Sequence, residues 1–375
     1  MSSVSIEKLP ETILQFGAGN FLRGFADFFV DQANRAGQNV GRIVVVQSTA
    51  SNRADALNAQ KCVYHVAIRG LEGGQVVDRV EEVRSISRSV VADKEWDQVL
   101  DVAKSPALRW IVSNTTEAGF ALVDGEPLGA GTPRSFPGKL VRVLQARWEA
   151  KGSPLTIIPC ELIEGNGTKL LALAQEQAKR WNLSADFVTW MSVSCRWINN
   201  LVDRIVTGRP DKNPPAVNDP LLVVVEPFAS WVLESADGVS PFLTHPAITV
   251  TKDVQSYQLR KVRILNGCHT ALVIKALPLG IPTVREAVEN PEVGAWLRRL
   301  LDEEILPTIE GRVEGERDFA KETLTRFANP FVEHQLSSIA LNHEAKVGTR
   351  LRPTLDDYTK RFGKQPPLLS AILAK

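Results

Sequence analysis

Thr12–Phe16 is a short apolar run that ends at Gly17, the pattern of a buried strand. From Asn20 to Ala36, residues Phe21, Phe25, Phe28, Phe29 and Ala33 recur at helical spacing, and Gly37 is a natural stop. Ile43-Val44-Val45-Val46 follows as an unbroken β-branched run, as expected for a parallel strand covered on both faces. Strand, helix and strand in this order form the first unit of a dinucleotide-binding fold. The pattern continues with strands over Val63–Ile68 and Gln75–Ile86 and a helix over Trp96–Ala103. Further strands are predicted over Arg109–Ser113 and Leu155–Pro159, and helices over Gly138–Glu149 and Asn166–Trp181. Phe187–Cys195 reads as the last strand of the set.

Beyond Cys195 the strand signals thin out. Gly208–Pro215 is a Gly- and Pro-rich loop, and Tyr257–Leu277, Val284–Val288, Ala295–Leu306 and Arg317–Phe327 carry helical periodicity. The expected architecture is α/β: a Rossmann-type dinucleotide-binding domain over residues 1–196, then a mainly helical substrate domain over residues 197–375.

Composition narrows the function classes. Lys and Arg number 44 against 43 Asp and Glu, so no basic excess points to nucleic acid, and no basic amphipathic run points to a membrane surface. Cys62, Cys160, Cys195 and Cys268 are scattered and form no CxxC pair, so neither a disulfide framework nor a metal site is expected. Met1 to Pro10 has no apolar run after basic residues, and Leu221–Val225 is far too short to span a bilayer. A reduced, cytoplasmic compartment is expected. The oligomeric state stays open between a monomer and a small homo-oligomer.

Two segments carry candidate chemistry. The first is Gly17-Ala18-Gly19-Asn20-Phe21-Leu22-Arg23. Glycines after a first strand let backbone N–H groups approach a pyrophosphate, although Leu22 stands where a third glycine would complete the motif. Arg23 is placed to meet phosphate. The second strand ends Val46-Gln47-Ser48-Thr49, without the usual acid for the adenosine ribose. Gln47 is left as a candidate ribose ligand, and Arg53 as a candidate for a 2′-phosphate. NAD is expected, with NADP not excluded.

The second segment is Lys261-Val262-Arg263-Ile264-Leu265-Asn266-Gly267-Cys268-His269. On an ideal helix Asn266 lies ~140° and His269 ~80° round from Lys261, and Lys261 and His269 are about 12 Å apart along the axis. A kink near Gly267 would be needed to bring them to one substrate. A desolvated Lys can take a proton from an alcohol as hydride leaves, and an Asn can donate to the developing alkoxide. Asn166, near a strand's C-terminal end, is a second oxyanion candidate or a helix cap, and Asp203 is an ion-paired structural residue or a hydroxyl acceptor.

With these segments in view, the chain resembles the mannitol dehydrogenase family of polyol-specific long-chain dehydrogenases, and within it the uronate branch. The resemblance rests on Leu14–Arg23, Ser113–Glu117, Ser135–Leu140, Pro159–Gly167, Leu201–Val206, Glu226–Phe228, Lys261–Thr270, Arg326–Phe331 and Ile339–Asn342, in order along the chain. It implies a metal-free, NAD-dependent enzyme that interconverts a sugar acid and its keto form, of the altronate–tagaturonate kind. It implies Lys261 as general acid/base, Asn166 and Asn266 as the oxyanion pair, and His269, Asp203, Lys346 and Arg350 at the substrate. It places Phe16, Gly17, Gly19, Asn20, Phe21, Arg23, Gln47, Asn114 and Glu117 at the cofactor. Ser338 replaces an Arg of the mannitol-acting relatives, which disfavours mannitol, and Gln258 replaces a Glu, which removes a carboxylate from the proton path. The alternatives are another polyol or sugar-phosphate dehydrogenase (mannitol, fructuronate or mannitol-1-phosphate type) and a non-catalytic nucleotide-binding protein. The cluster Lys346, Arg350 and Arg352 suits a carboxylate-bearing substrate.

Overall fold

Glu11–Phe16 forms a central strand because five of its six residues are buried, sandwiched between parallel neighbours. Leu14 pairs with Val44 on one side and with Ile111 on the other. The computed structural model describes residues 5–116, 119–129, 131–211 and 214–374. Among these, six parallel strands run in the order Ile86–Val91, Arg42–Gln47, Glu11–Phe16, Trp110–Ser113, Thr156–Pro159 and Arg196–Trp197. Numbered within the sheet this is 3-2-1-4-5-6, the doubly wound order of a Rossmann domain. Leu140 and Leu144 of helix Phe136–Glu149 and Leu170 and Ala174 of helix Asn166–Arg180 share one apolar core with Leu14, Phe16 and Ile157. That double cover explains the unbroken apolar strands.

Several expectations need correction. The predicted helix Asn20–Ala36 is two helices, Asn20–Arg23 and Ala26–Arg35. Gly24 separates them because the backbone passes tightly over Val206, Val223 and Val225, where a Cβ would come within 2.7–2.9 Å. Gln75–Ile86 is divided between strands Gln75–Val83 and Ile86–Val91. Phe187–Cys195 is not a strand but a helix, Ala185–Thr189, running into a π-turn, Trp190–Ser194. Phe187, Met191 and Cys195 are buried at four-residue intervals, the stripe of a helix and not the alternation of a strand.

The division between units also moves. The first unit takes in the described residues up to Ile68, then Arg79–Val225 and Ala229–Val254, so it continues far beyond residue 196. The chain there forms short strands: Asn200–Asp203, Val206–Thr207, Val223–Val225, Ser230–Glu234 and Ile248–Thr251. They build a three-stranded and part of a four-stranded sheet. Strands this short carry too few residues for alternation to be read.

The second unit comprises Arg69–Asp78, Glu226–Phe228 and the described residues from Gln255 onward. It is mainly helical. Ile264, Leu272, Leu297, Leu300, Ile309 and Leu336 sit in its core. Arg326 and Glu226 form a bidentate ion pair at 2.8 and 2.9 Å with both side chains almost wholly buried. The Arg326 guanidinium also lies 4.1 Å from the Phe228 ring centre.

One buried carboxyl in the first unit stands out. Asp27 is fully buried, and Gln15 Nε2 donates to its Oδ2 at 3.2 Å. Asp27 Oδ1 and Gln15 Oε1 have no partner. Burial pushes the Asp27 carboxyl up to about 7. Because the folded value lies above the unfolded one, stability is full at low pH and falls as pH rises from about 4 to about 7. Asp27→Asn supplies an N–H for Gln15 Oε1 and removes the charge. It should raise the unfolding free energy by about 2–3 kcal/mol more at pH 8 than at pH 5. Denaturant titration at both pH values checks this, and an equal effect at both would mean that Asp27 is ionised in the fold.

Candidate active site

The first unit carries the glycine turn. Gly17 has φ +126°, its N–H donates to Val46 O at 3.1 Å, and a Cβ there would stand 3.0 Å from Asn114 O. Only glycine adopts this conformation without strain. Phe16 supports the turn from below, its ring 5.3 Å from that of Phe136. Asn114 borders it: its N–H donates to Phe16 O, and its side chain donates to Cys160 O at 2.7 Å. Gly19, Asn20 and Phe21 are partly exposed, and Phe21 stacks on Phe25 at 4.9 Å. Glu117 lies outside the described residues.

Two expected cofactor contacts are engaged elsewhere. Arg23 is buried, donates to Leu221 O and to Asn20 Oδ1, and lies over the Tyr64 ring, whose hydroxyl donates to Arg23 O at 2.7 Å. These contacts tie Arg23 to the fold and leave only its Nε without a partner. Gln47 donates to Thr49 O and Ser51 O and accepts from the Ala54 N–H, so it shapes the loop after the second strand and has no N–H left for a ribose. Arg53 takes the place foreseen for Arg23: its Nη1 is 3.5 Å from Ala18 O and 3.8 Å from where a Gly19 Cβ would be. The cradle at Gly17 with a cation beside it fits the pyrophosphate of a dinucleotide.

Asn166 is buried at the start of its helix. Its Nδ2 reaches Pro159 O, Glu161 O and Asn200 O, while its Oδ1 accepts from the N–H groups of Gly167 and Asn200. Both of its N–H donors are therefore committed to carbonyls. It is not the cap, because Gly165 holds that position with φ +62°. Asp203 is buried at the end of strand Asn200–Asp203, opposite Ser230. Glu161, to which sequence reasoning assigned no role, is also buried. It accepts from Ser113 Oγ, Thr115 N–H and Thr115 Oγ1, and burial raises its pKa. It anchors the stretch that carries Asn114.

The second unit carries the Lys–Asn–His segment. Helix Val254–Lys261 passes into a π-turn, Val262–Asn266, and then into helix Gly267–Ala276. The Gly267 N–H reaches back to Val262 O, five residues away, as a π-turn requires. A helix wound this way brings residue i+5 over residue i, so Asn266 turns toward the face of Lys261. The distortion precedes Gly267, where a kink was foreseen, and both Lys261 and Asn266 are half-buried.

His269 is buried, stacked on Phe327 at 4.3 Å, and its Nε2 has no hydrogen-bond partner. Burial holds its pKa well below the ordinary value, and His334, Arg326, Arg350 and Lys346 push it further the same way. Lys346 donates to Ile339 O at 2.8 Å, and Arg350 makes only a 3.4 Å contact with Thr270 Oγ1. Arg352, grouped with them in the sequence, is exposed. His334 was missed. It presents its ring edge to His269 at 4.9 Å, yet it stands between the recognisable stretches Arg326–Phe331 and Ile339–Asn342, in no motif of its own.

Comparison with known proteins identifies the family. The Mannitol dehydrogenase Rossmann domain matches residues 11–243, and the Mannitol dehydrogenase C-terminal domain matches residues 253–375. The chain belongs to the mannitol dehydrogenase family. It is 40% identical over 374 residues to the altronate oxidoreductase of Bacillus subtilis (strain 168), covering 96% of this chain and 78% of that one. It is 37% identical to the altronate oxidoreductase of Klebsiella pneumoniae subsp. pneumoniae, covering 97% and 79%. Among solved structures it is similar to a D-sorbitol dehydrogenase in substrate-free form, with TM-score 0.84, 24% identity and coverage of 99% and 80%. A Pseudomonas fluorescens mannitol 2-dehydrogenase in ternary complex with NAD and D-mannitol gives TM-score 0.79, 22% identity and coverage of 99% and 79%. These two establish the fold: a Rossmann domain with a parallel sheet, followed by a helical domain. Among the described residues there is no cluster of His, Cys, Asp or Glu able to hold a metal, and no helix is long and apolar enough to cross a membrane.

If the glycine turn seats the dinucleotide, Gly17→Ala must strain the backbone by roughly 1–2 kcal/mol and push against Asn114. Fluorescence titration with NADH should show binding weakened about tenfold or more, the equivalent of ~1.4 kcal/mol. Unchanged affinity would remove this turn from the cofactor site.

Proposed function

We propose that the chain is an NAD-dependent dehydrogenase that interconverts a sugar acid and its keto form, of the altronate–tagaturonate kind. The observation that carries this reading is the second unit's arrangement: a Lys and an Asn on one π-turn, followed by a buried His with an unpartnered nitrogen in the field of two cations, Lys346 and Arg350. The altronate oxidoreductases that resemble the chain along almost its whole length support the sugar-acid assignment.

Lys261 takes the proton of the reacting hydroxyl during oxidation and returns it during reduction. Asn266 donates an N–H to the same oxygen as negative charge develops on it. His269, neutral because burial disfavours its charged form, offers Nε2 to a further hydroxyl. Lys346 and Arg350 hold the carboxylate end. Asp203 is retained as a hydroxyl acceptor. Asn166 acts on the substrate oxygen only by exchanging one of its three carbonyl partners, so its principal work is to fix the strand ends. Bound NAD would supply the hydride acceptor, with Gly17, Gly19, Asn20, Phe21 and Arg53 holding its phosphates and Phe16 and Asn114 shaping the turn.

A panel of hexonates, keto-uronates and neutral polyols, assayed with NAD and NADP, tests the reading. Sugar acids should exceed the matching neutral polyols by about tenfold or more in kcat/KM, the worth of one modest charged hydrogen bond. A neutral polyol turned over better than every aldonate would overturn the substrate assignment. Lys261→Ala should lower kcat by at least ~10²-fold while NADH binding, followed by fluorescence, stays intact. Near-normal turnover by that variant would reject Lys261 as the acid/base.

A further inference from the structure

In the second unit His334, Lys346 and Arg350 all act on His269, and among the described residues neither of these two cations has a carboxylate partner. His269 and His334 meet edge to face. Lys346 and Arg350 lie on one helical turn of helix His343–Arg350, four residues apart, and both act on His269 electrostatically. Arg326 acts on it as well, but Glu226 neutralises that charge through two hydrogen bonds. Lys346 and Arg350 have no such carboxylate. Lys346 is bonded to a neutral carbonyl and Arg350 to a hydroxyl at the long limit of a hydrogen bond. Glu333, the chain neighbour of His334, is exposed.

Such a group of donors is incomplete. A buried imidazole nitrogen without a partner costs free energy that an acceptor would recover. Uncompensated cations at a partly buried site favour an anion. His269 is too deeply buried to carry a charge of its own, whereas His334 is half-buried and its ring nitrogens make no hydrogen bond. The histidine able to gain a proton when negative charge arrives is therefore His334.

We propose that His334 is a specificity-determining residue that binds the substrate carboxylate beside Arg350, and that it takes up a proton from solvent when the acid binds and releases it when the acid leaves. This inference rests on the sugar-acid reading above and adds to it the residue that senses the charge. The uptake is an equilibrium step: the proton comes from buffer, adds to a ring nitrogen of His334, and leaves an imidazolium paired with the carboxylate. The free protein favours neutral His334 because burial holds its pKa below the ordinary value. The bound carboxylate reverses that balance. A neutral polyol brings no charge and so draws no proton.

The test uses calorimetric titration of the full chain, loaded with NADH, with D-altronate and with the matching neutral polyol D-altritol. Titrations near pH 7 in two buffers of different ionisation enthalpy report the protons exchanged. The expected result is uptake approaching about one proton per altronate and none per altritol. His334→Gln should weaken altronate binding by about tenfold or more, abolish the uptake, and change altritol binding less than about twofold. Altronate bound and oxidised without proton uptake would overturn the role of His334 while leaving the proposed function standing. Equal weakening of both ligands by His334→Gln would reduce His334 to a structural residue. A wild-type protein that binds and oxidises neither altronate nor altritol would sink the proposed function itself. Should His334→Gln fail to fold, the wild-type pH profile decides: altronate affinity must strengthen as pH falls through neutrality while altritol affinity stays flat.

Discussion

The π-turn at Val262–Asn266 is the constraint on which the rest of the second unit's chemistry depends. A π-turn has poorer hydrogen bonding than an α-helix and is stable only where tertiary contacts support it. Arg263 provides that support from within the turn. It is buried, donates to Thr354 Oγ1 at 3.0 Å and to Asp357 at 2.7 Å, and Asp357 is shared with Arg312. The helix that begins at Arg352 is thus tied to the turn where the winding of this segment changes. Without the extra residue, Asn266 would point well away from Lys261.

Several buried arginines in both units are engaged by the fold itself. In the first, Arg23 and Arg147 are buried and surrounded by backbone carbonyls and an aromatic ring. Those contacts engage both terminal nitrogens of Arg23, although its Nε has no partner. Arg326 in the second unit is likewise closed off by Glu226. Lys346 and Arg350 are different: both are cationic and partly buried, and each has only a neutral oxygen. The proposed preference for an anion rests on that contrast, not on net charge, which is close to zero over the chain.

Much of the fold was legible in the sequence. The β-branched run at residues 43–46 and the helical spacing after Gly17 were enough to place the first βαβ unit, because the sheet is covered on both faces. The strands after residue 196 escaped notice because they are two to five residues long and their burial comes from neighbours remote in the chain. Phe187–Cys195 misled for the related reason that an apolar run does not reveal its own period. In the site, Lys261, Asn266 and His269 could be named because they cluster within nine residues. His334 could not, because its relation to His269 exists only after the helices pack.

What separates structural from reactive polar residues here is whether their donors and acceptors are already matched. Asn166 and Gln47 looked like ligands by type and position, yet each amide is fully engaged with backbone that it holds in place. Sequence shows the residue type; only the fold shows how many of its hydrogen bonds are already made. His269 has the reverse character, a buried side chain with an acceptor or donor site left open. Buried polar groups are rarely left unmatched without a function, and this one stands beside cations that lack an anion. The same accounting distinguishes Arg23, whose terminal nitrogens are engaged and whose Nε alone is open, from Arg53, whose guanidinium makes one long contact beside the glycine turn.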